Sequence, residues 1–123
     1  MENQPNAGGR ERRRHQRFFC SAAAEVAVHH VSMLFRGSIR DISRSGCFIE
    51  SKAQLKLPRL QEVELQFSSR GIQVRSLARV MDIRPGVGAG FEFIGEDPRL
   101  EQELQRLIGW LDQESHSGGQ AAP

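Results

Sequence analysis

Residues 62–67, Glu-Val-Glu-Leu-Gln-Phe, alternate polar and apolar side chains without a break. In an extended chain successive side chains point to opposite faces, so Val63, Leu65 and Phe67 share one face and Glu62, Glu64 and Gln66 the other. This run predicts a half-buried strand, and it constrains the residues on its C-terminal side. Ser68-Ser69-Arg70-Gly71 reads as a turn, so Ile72 to Ile83 should return antiparallel. Along that return the apolar positions change face, from Ile72 and Val74 to Leu77, Met81 and Ile83. Such a change predicts a bulge or a barrel corner. Arg84-Pro85-Gly86 makes a second turn, and Ala89 to Ile94 the last strand.

The chain upstream is also strand-like. Phe18 and Phe19 open a region that runs through Val26 and Val28 to about Val31. Its Ala22-Ala23-Ala24 run would suit a helix on propensity alone, but the valines and the lack of a 3.6-residue period predict a strand. Met33 to Ile42 forms a second strand, with Leu34, Arg36, Ser38 and Arg40 on one face and Phe35, Gly37 and Ile39 on the other. Cys47 to Glu50 forms a short third. Between these two, Asp41 to Gly46 carries turn chemistry: Asp and Ser side chains bond nearby backbone, and Gly46 permits the positive φ of a tight reversal. Leu55, Leu57 and Leu60 around Pro58 predict a loop that tucks apolar side chains under the sheet.

The C-terminal part is helical in pattern. Asp97 suits a cap and Pro98 the first helical position. Leu100, Leu104, Leu107, Ile108 and Leu111 then mark one buried face, with Trp110 at its edge to shield the seam between helix and sheet. The fold class predicted is all-β with an appended helix: a six-stranded antiparallel β-barrel followed by one α-helix. Residues 1–9 read as a disordered lead-in and 10–113 as one domain, divided into a basic arm at 10–17, a barrel at 18–94 and a helix at 97–112. Residues 114–123 read as a flexible tail.

Composition excludes several functions. A chain of 123 residues with no apolar run near the ~20 residues of a membrane span predicts one domain without a membrane segment. With no apolar segment behind the basic residues, a cytoplasmic location is expected. Cys20 and Cys47 lack metal-site spacing and make no disulfide framework. His15 stands among arginines, the adjacent His29 and His30 would face opposite ways on a strand, and His116 lies in the tail. No nucleophile, base and orienting group come together, so we expect no enzyme, no metal site and no cofactor.

The net charge of +2 hides an uneven distribution, for Arg10, Arg12, Arg13, Arg14 and Arg17 crowd one short segment opposed only by Glu11. Guanidinium groups bind phosphates bidentately, pair with the O6/N7 edge of guanine and stack on bases. A carboxylate such as Asp41 accepts from the guanine N1–H and N2–H₂ donors, and a hydroxyl such as Ser43 serves a phosphate or a base edge. Gly46 would let backbone approach a ligand closely. Three readings stay open on these residues: a nucleotide receptor, a small basic barrel that binds RNA or DNA, and a protein–protein adaptor whose motifs are unused. Against nucleic acid, there is no Tyr, and most Phe residues hold core-like positions.

Arg13-Arg14-His15-Gln16-Arg17 fits an R-x-x-x-R motif, and Asp41 to Gly46 fits [DN]-x-S-x-x-G. Both motifs, in this order and at this separation, resemble the PilZ domain family of bacterial receptors for cyclic di-GMP, built on a six-stranded β-barrel. The Gly88 to Phe93 stretch and the C-terminal helix are similar to that family as well. The resemblance spans roughly Arg10 to Leu111. It implies that Arg13 and Arg17 bind phosphate and guanine, that Asp41 and Ser43 bind a second part of the nucleotide, and that Gly46 shapes the turn. Arg12 extends the first motif to R-R-x-x-x-R, a variant that resembles members binding a stacked ligand dimer, with Arg14 in an assisting position. The implied ligand is therefore two molecules of cyclic di-GMP per chain. The implied mechanism is a switch in which the arm folds onto the barrel and the new surface engages a downstream protein.

Overall fold

The computed structural model describes residues 15–28, 32–53 and 55–121. Six strands, β1 (Phe18–Val28), β2 (Met33–Ile42), β3 (Gly46–Glu50), β4 (Glu62–Ser69), β5 (Ile72–Arg84) and β6 (Gly88–Phe93), precede one helix, α1 (Pro98–Ala121). The strands close into a barrel in the order β1-β2-β3-β6-β5-β4, and every pairing is antiparallel. Closure leaves no free sheet edge. The predicted fold class is the one observed.

The alternating run behaves as its pattern requires. Val63, Leu65 and Phe67 are buried, and they meet Val28, Val26 and Ala24 on one side and Ala78, Ser76 and Val74 on the other. Arg70 and Gly71 close the β4–β5 hairpin with φ of 52° and 75°. Two successive positive values make the two-residue reversal whose twist matches that of the strands. On the outer face a polar ladder crosses four strands in register, Arg36–Glu25–Gln66–Arg75. Arg36 lies 3.0 Å from Glu25, and Arg75 donates to Gln66 at 3.0 and 3.2 Å.

The return strand departs from the sequence reading. Its inward face continues as Ile72, Val74, Ser76, Ala78 and Val80, all buried, and Leu77 stands exposed outside. Side chains alternate without interruption from Ile72 to Val80, so the phase that buries Ile72, Val74 and Val80 also turns Ser76 and Ala78 inward and Leu77 outward. The irregularity predicted at Val74–Leu77 falls instead between Val80 and Asp82. Leu60 is another difference. It is exposed at φ 73°, its N–H given to the Val80 carbonyl, whereas Leu57 is the loop residue that is buried.

α1 starts as expected: Asp97 Oδ1 accepts from the Arg99 N–H at 3.0 Å. Leu100, Leu104, Leu107 and Leu111 join the barrel core, and α1 packs on β5 and β1. Trp110 shields the seam only in part, at 52% exposed. The helix continues to Ala121, past residue 112 where the sequence places its end. Once nucleated, a helix extends at little cost per residue, and Glu114 in the added turn is tied to the barrel. Arg70 donates to both its oxygens, from Nε to Oε2 at 2.7 Å and from Nη2 to Oε1. These bonds hold the Glu114 carboxyl below its ordinary value. Among the described residues no helix is long and apolar enough to cross a membrane.

Both cysteines are free and buried. Burial pushes the Cys47 thiol well up, with the Asp41 carboxylate adding to the effect, and burial also raises Cys20. The thiolate is the reactive form. Neither cysteine should therefore react with a chromogenic aromatic disulfide at pH 8 in the native protein, and both should react in urea. Because the folded Cys47 holds its proton above its ordinary value of 9.0, the stability it contributes is complete below pH 9 and lost as pH rises further. Rapid labelling of the native protein would contradict this burial.

Candidate functional site

Arg17 directly precedes β1, and the register pairs its near neighbour Phe19 with Asp41 on β2. The two motifs are thereby brought into contact. Arg17 Nη1 donates to Asp41 Oδ1 at 2.5 Å, a pair separated by 24 residues in sequence. The side chains keep 39% and 26% of their surface exposed, so the pair contributes about 0–1 kcal/mol to stability and stays open to a third party. Phe19 beside it is 78% exposed. Arg17 and Phe19 also line a cavity of about 340 Å³ between the start of β1 and residues Leu111, Glu114 and Ser115 of α1, with Arg70 at its border.

A local irregularity sets the direction of Asp41. From Ile39↔Ile49 to Asp41↔Phe48, β2 advances two residues while β3 advances one. The extra residue is a bulge, and it places Arg40 and Asp41 together on the outer face opposite Phe48. A second extra residue, on β1 between Phe19 and Ala22, adjoins it, and a third lies on β5 between Val80 and Asp82.

Ser43 and Gly46 have positions that the motif alone does not convey. Ser43 is 2% exposed. Its Oγ accepts from the N–H groups of Ser45 and Gly46 at 3.1 and 3.3 Å, and its own N–H donates to the Gly46 carbonyl at 2.8 Å. The hydroxyl holds the reversal between β2 and β3 closed. Gly46 has no positive φ. Glycine is required there for another reason: a Cβ would sit 2.1 Å from the Phe91 carbonyl oxygen, where β3 meets β6. Arg12, Arg13 and Arg14 lie outside the described residues.

A sequence profile of the PilZ domain matches residues 11–110. The chain belongs to the PilZ domain family. Comparison with curated protein sequences gave no match. Solved PilZ structures share the fold at low identity. The PilZ domain of CeSA from a cellulose-synthesizing bacterium is 23% identical, with a TM-score of 0.67, over 79% of this chain and 98% of that one. YcgR from Escherichia coli in complex with c-di-GMP is 18% identical with a TM-score of 0.76, over 91% of this chain, which spans 51% of YcgR. The PilZ domain of YcgR with c-di-GMP is 18% identical with a TM-score of 0.72, over 89% of this chain and 98% of that one.

The PilZ barrel also presents residues that sequence reasoning did not single out. Phe48 follows Cys47 and precedes Ile49, both of which point into the core, so its ring stands outside the barrel. There the guanidinium groups of Arg40 and Arg84 lie over it, 5.6 and 5.3 Å from the ring centroid. Within the apolar run Cys47-Phe48-Ile49 nothing local separates inside from outside. The alternation of strand side chains was the available signal.

Proposed function

We propose that this PilZ domain is a receptor for cyclic di-GMP that binds the nucleotide without transforming it and relays its presence to a downstream protein. The observation that supports this reading is the Arg17–Asp41 contact, which brings a guanidinium and a carboxylate together on an accessible outer face. One group suits phosphate or the O6/N7 edge of guanine, and the other suits the N1–H and N2–H₂ donors. Their existing pair is weak, so a ligand that satisfies both displaces it at little cost. That YcgR, of the same fold, forms a complex with c-di-GMP adds to the case. In this reading Arg12 and Arg13 reach the ligand from the arm, Arg14 assists, and ordering of the arm creates the surface that the partner meets. Ser43 acts by fixing the turn that presents Asp41, and Gly46 by letting β3 close against β6 beside that turn.

Calorimetric titration tests the reading. Cyclic di-GMP should bind and should compete with a labelled copy of itself, while cyclic di-AMP and a generic oligonucleotide fail, because the wrong base edge leaves Asp41 unpaired. With Arg12 as a further cation for a stacked ligand pair, the stoichiometry should be two ligands per chain, falling to one in Arg12→Leu. Equal competition by the oligonucleotide, with steep salt dependence, would assign the arm to nucleic acid instead.

A further inference from the structure

Phe48 is 7% exposed although it lies on the outside of the barrel. It is left out of the cluster that fills the barrel interior. On β6 its register partner is Gly90, and the ring's Cδ1 lies 3.9 Å from where a Cβ on that glycine would stand. Two guanidinium groups lie over the ring, each with an acid at its other side. Arg40 Nη2 lies 2.7 Å from Glu50 Oε2, and Arg84 Nε donates to Asp82 Oδ2 at 3.1 Å. The arginine side chains nevertheless remain 48% and 60% exposed. Each thus has the ring on its inner side and a carboxylate at one edge, with much of the side chain open to solvent.

The bulges explain why these groups converge. The extra residue in β2 turns Arg40 outward beside Asp41, and the one in β5 leaves Asp82 and Arg84 as the exposed residues of the strand's end. In register, one row crosses the outer face as Asp41–Phe48–Gly90–Asp82. With strands about 4.8 Å apart, the row reaches roughly 14 Å from Asp41. Gly90 adds no side chain to that row.

We infer that Arg84 and Arg40 are base-stacking cations of the nucleotide site, held ready by Phe48, Asp82 and Glu50. A guanidinium is planar and weakly hydrated and stacks on both of its faces. With Phe48 on one side, each guanidinium keeps exposed surface that a guanine can cover, and its contacts with the ring and a carboxylate narrow the positions it samples before the base arrives. The site then extends from the Arg17–Asp41 contact across Phe48 to the end of β5, and its ligand is a flat, anionic purine nucleotide. This assignment rests on the cyclic di-GMP reading above and adds to it two ligand-contacting residues and three positioning residues.

The test compares Arg84→Met, Arg40→Met and the double variant with wild type, since methionine keeps an apolar cover over Phe48 and removes the guanidinium. Arg84→Lys, which keeps charge without a planar face, and Arg75→Met, on the polar ladder outside this row, serve as controls. Calorimetry with cyclic di-GMP should show about a tenfold loss of affinity for Arg84→Met and a larger loss for the double variant. Arg84→Lys should lose nearly as much as Arg84→Met, and Arg75→Met nothing. With cyclic di-GMP bound to wild type, the Arg84 δ-methylene and Nε–H resonances should move upfield in the ring current of the stacked base, a signature that a merely structural arginine would not show. Urea midpoints should stay together. If wild type binds and the double variant binds equally well, the stacking assignment is overturned while the receptor reading stands. If wild type binds no cyclic di-GMP, both fall.

Discussion

Arg17→Ala and Asp41→Ala should each lower the affinity for cyclic di-GMP by roughly 100-fold or more, with the barrel still folded. Each variant removes a charged hydrogen-bonding group, worth about 1.5–3 kcal/mol per bond, and deprives its former partner as well. The same change costs the fold little, because an ion pair this exposed contributes about 0–1 kcal/mol. Binding and stability should therefore separate: calorimetry should record the loss while the urea midpoint moves slightly. Wild-type affinity in either folded variant would remove Arg17 and Asp41 from the site. Ser43→Ala should behave differently, since its Oγ serves the turn, and any loss of binding should come with a loss of stability.

Gly46→Ala should be the more damaging change to the fold. A methyl group there would stand 2.1 Å from the Phe91 carbonyl oxygen, with the Phe91 carbonyl carbon and the Glu92 Cα at 3.2 and 3.3 Å. All three are backbone atoms of the paired strand, so relief requires β3 and β6 to part. Overpacking of this kind costs about 3 kcal/mol or more, which in a domain of this size lowers the melting temperature by roughly 10 °C or more. Thermal unfolding of the variant measures it directly. A variant as stable as wild type that nonetheless fails to bind cyclic di-GMP would make Gly46 a point of close ligand approach, as its lack of a side chain suggests in the sequence. The structure gives it a place in the barrel seam instead.

The parts of this protein legible in its sequence are those whose cause is local. Alternation in residues 62–67 defined β4, the Arg70-Gly71 reversal defined its hairpin, and Asp97 and Pro98 with the leucine stripe defined the start and buried face of α1. Each rests on a period or a turn preference that a few neighbouring residues carry. Both motifs were legible for the same reason. Which side of an apolar strand lies inside was settled by tertiary packing. Leu77 reads as core and stands outside, while Ser76 and Ala78 line the interior in phase with Ile72, Val74 and Val80, beside the buried Leu65 and Val63 of β4. Packing also settled where β2 and β5 take an extra residue, since a bulge is defined against the partner strand and not within its own. Those two bulges turn Arg40, Asp41, Asp82 and Arg84 to one face around Phe48. Pairing of strands distant in the chain, which no window of sequence contains, assembles that surface.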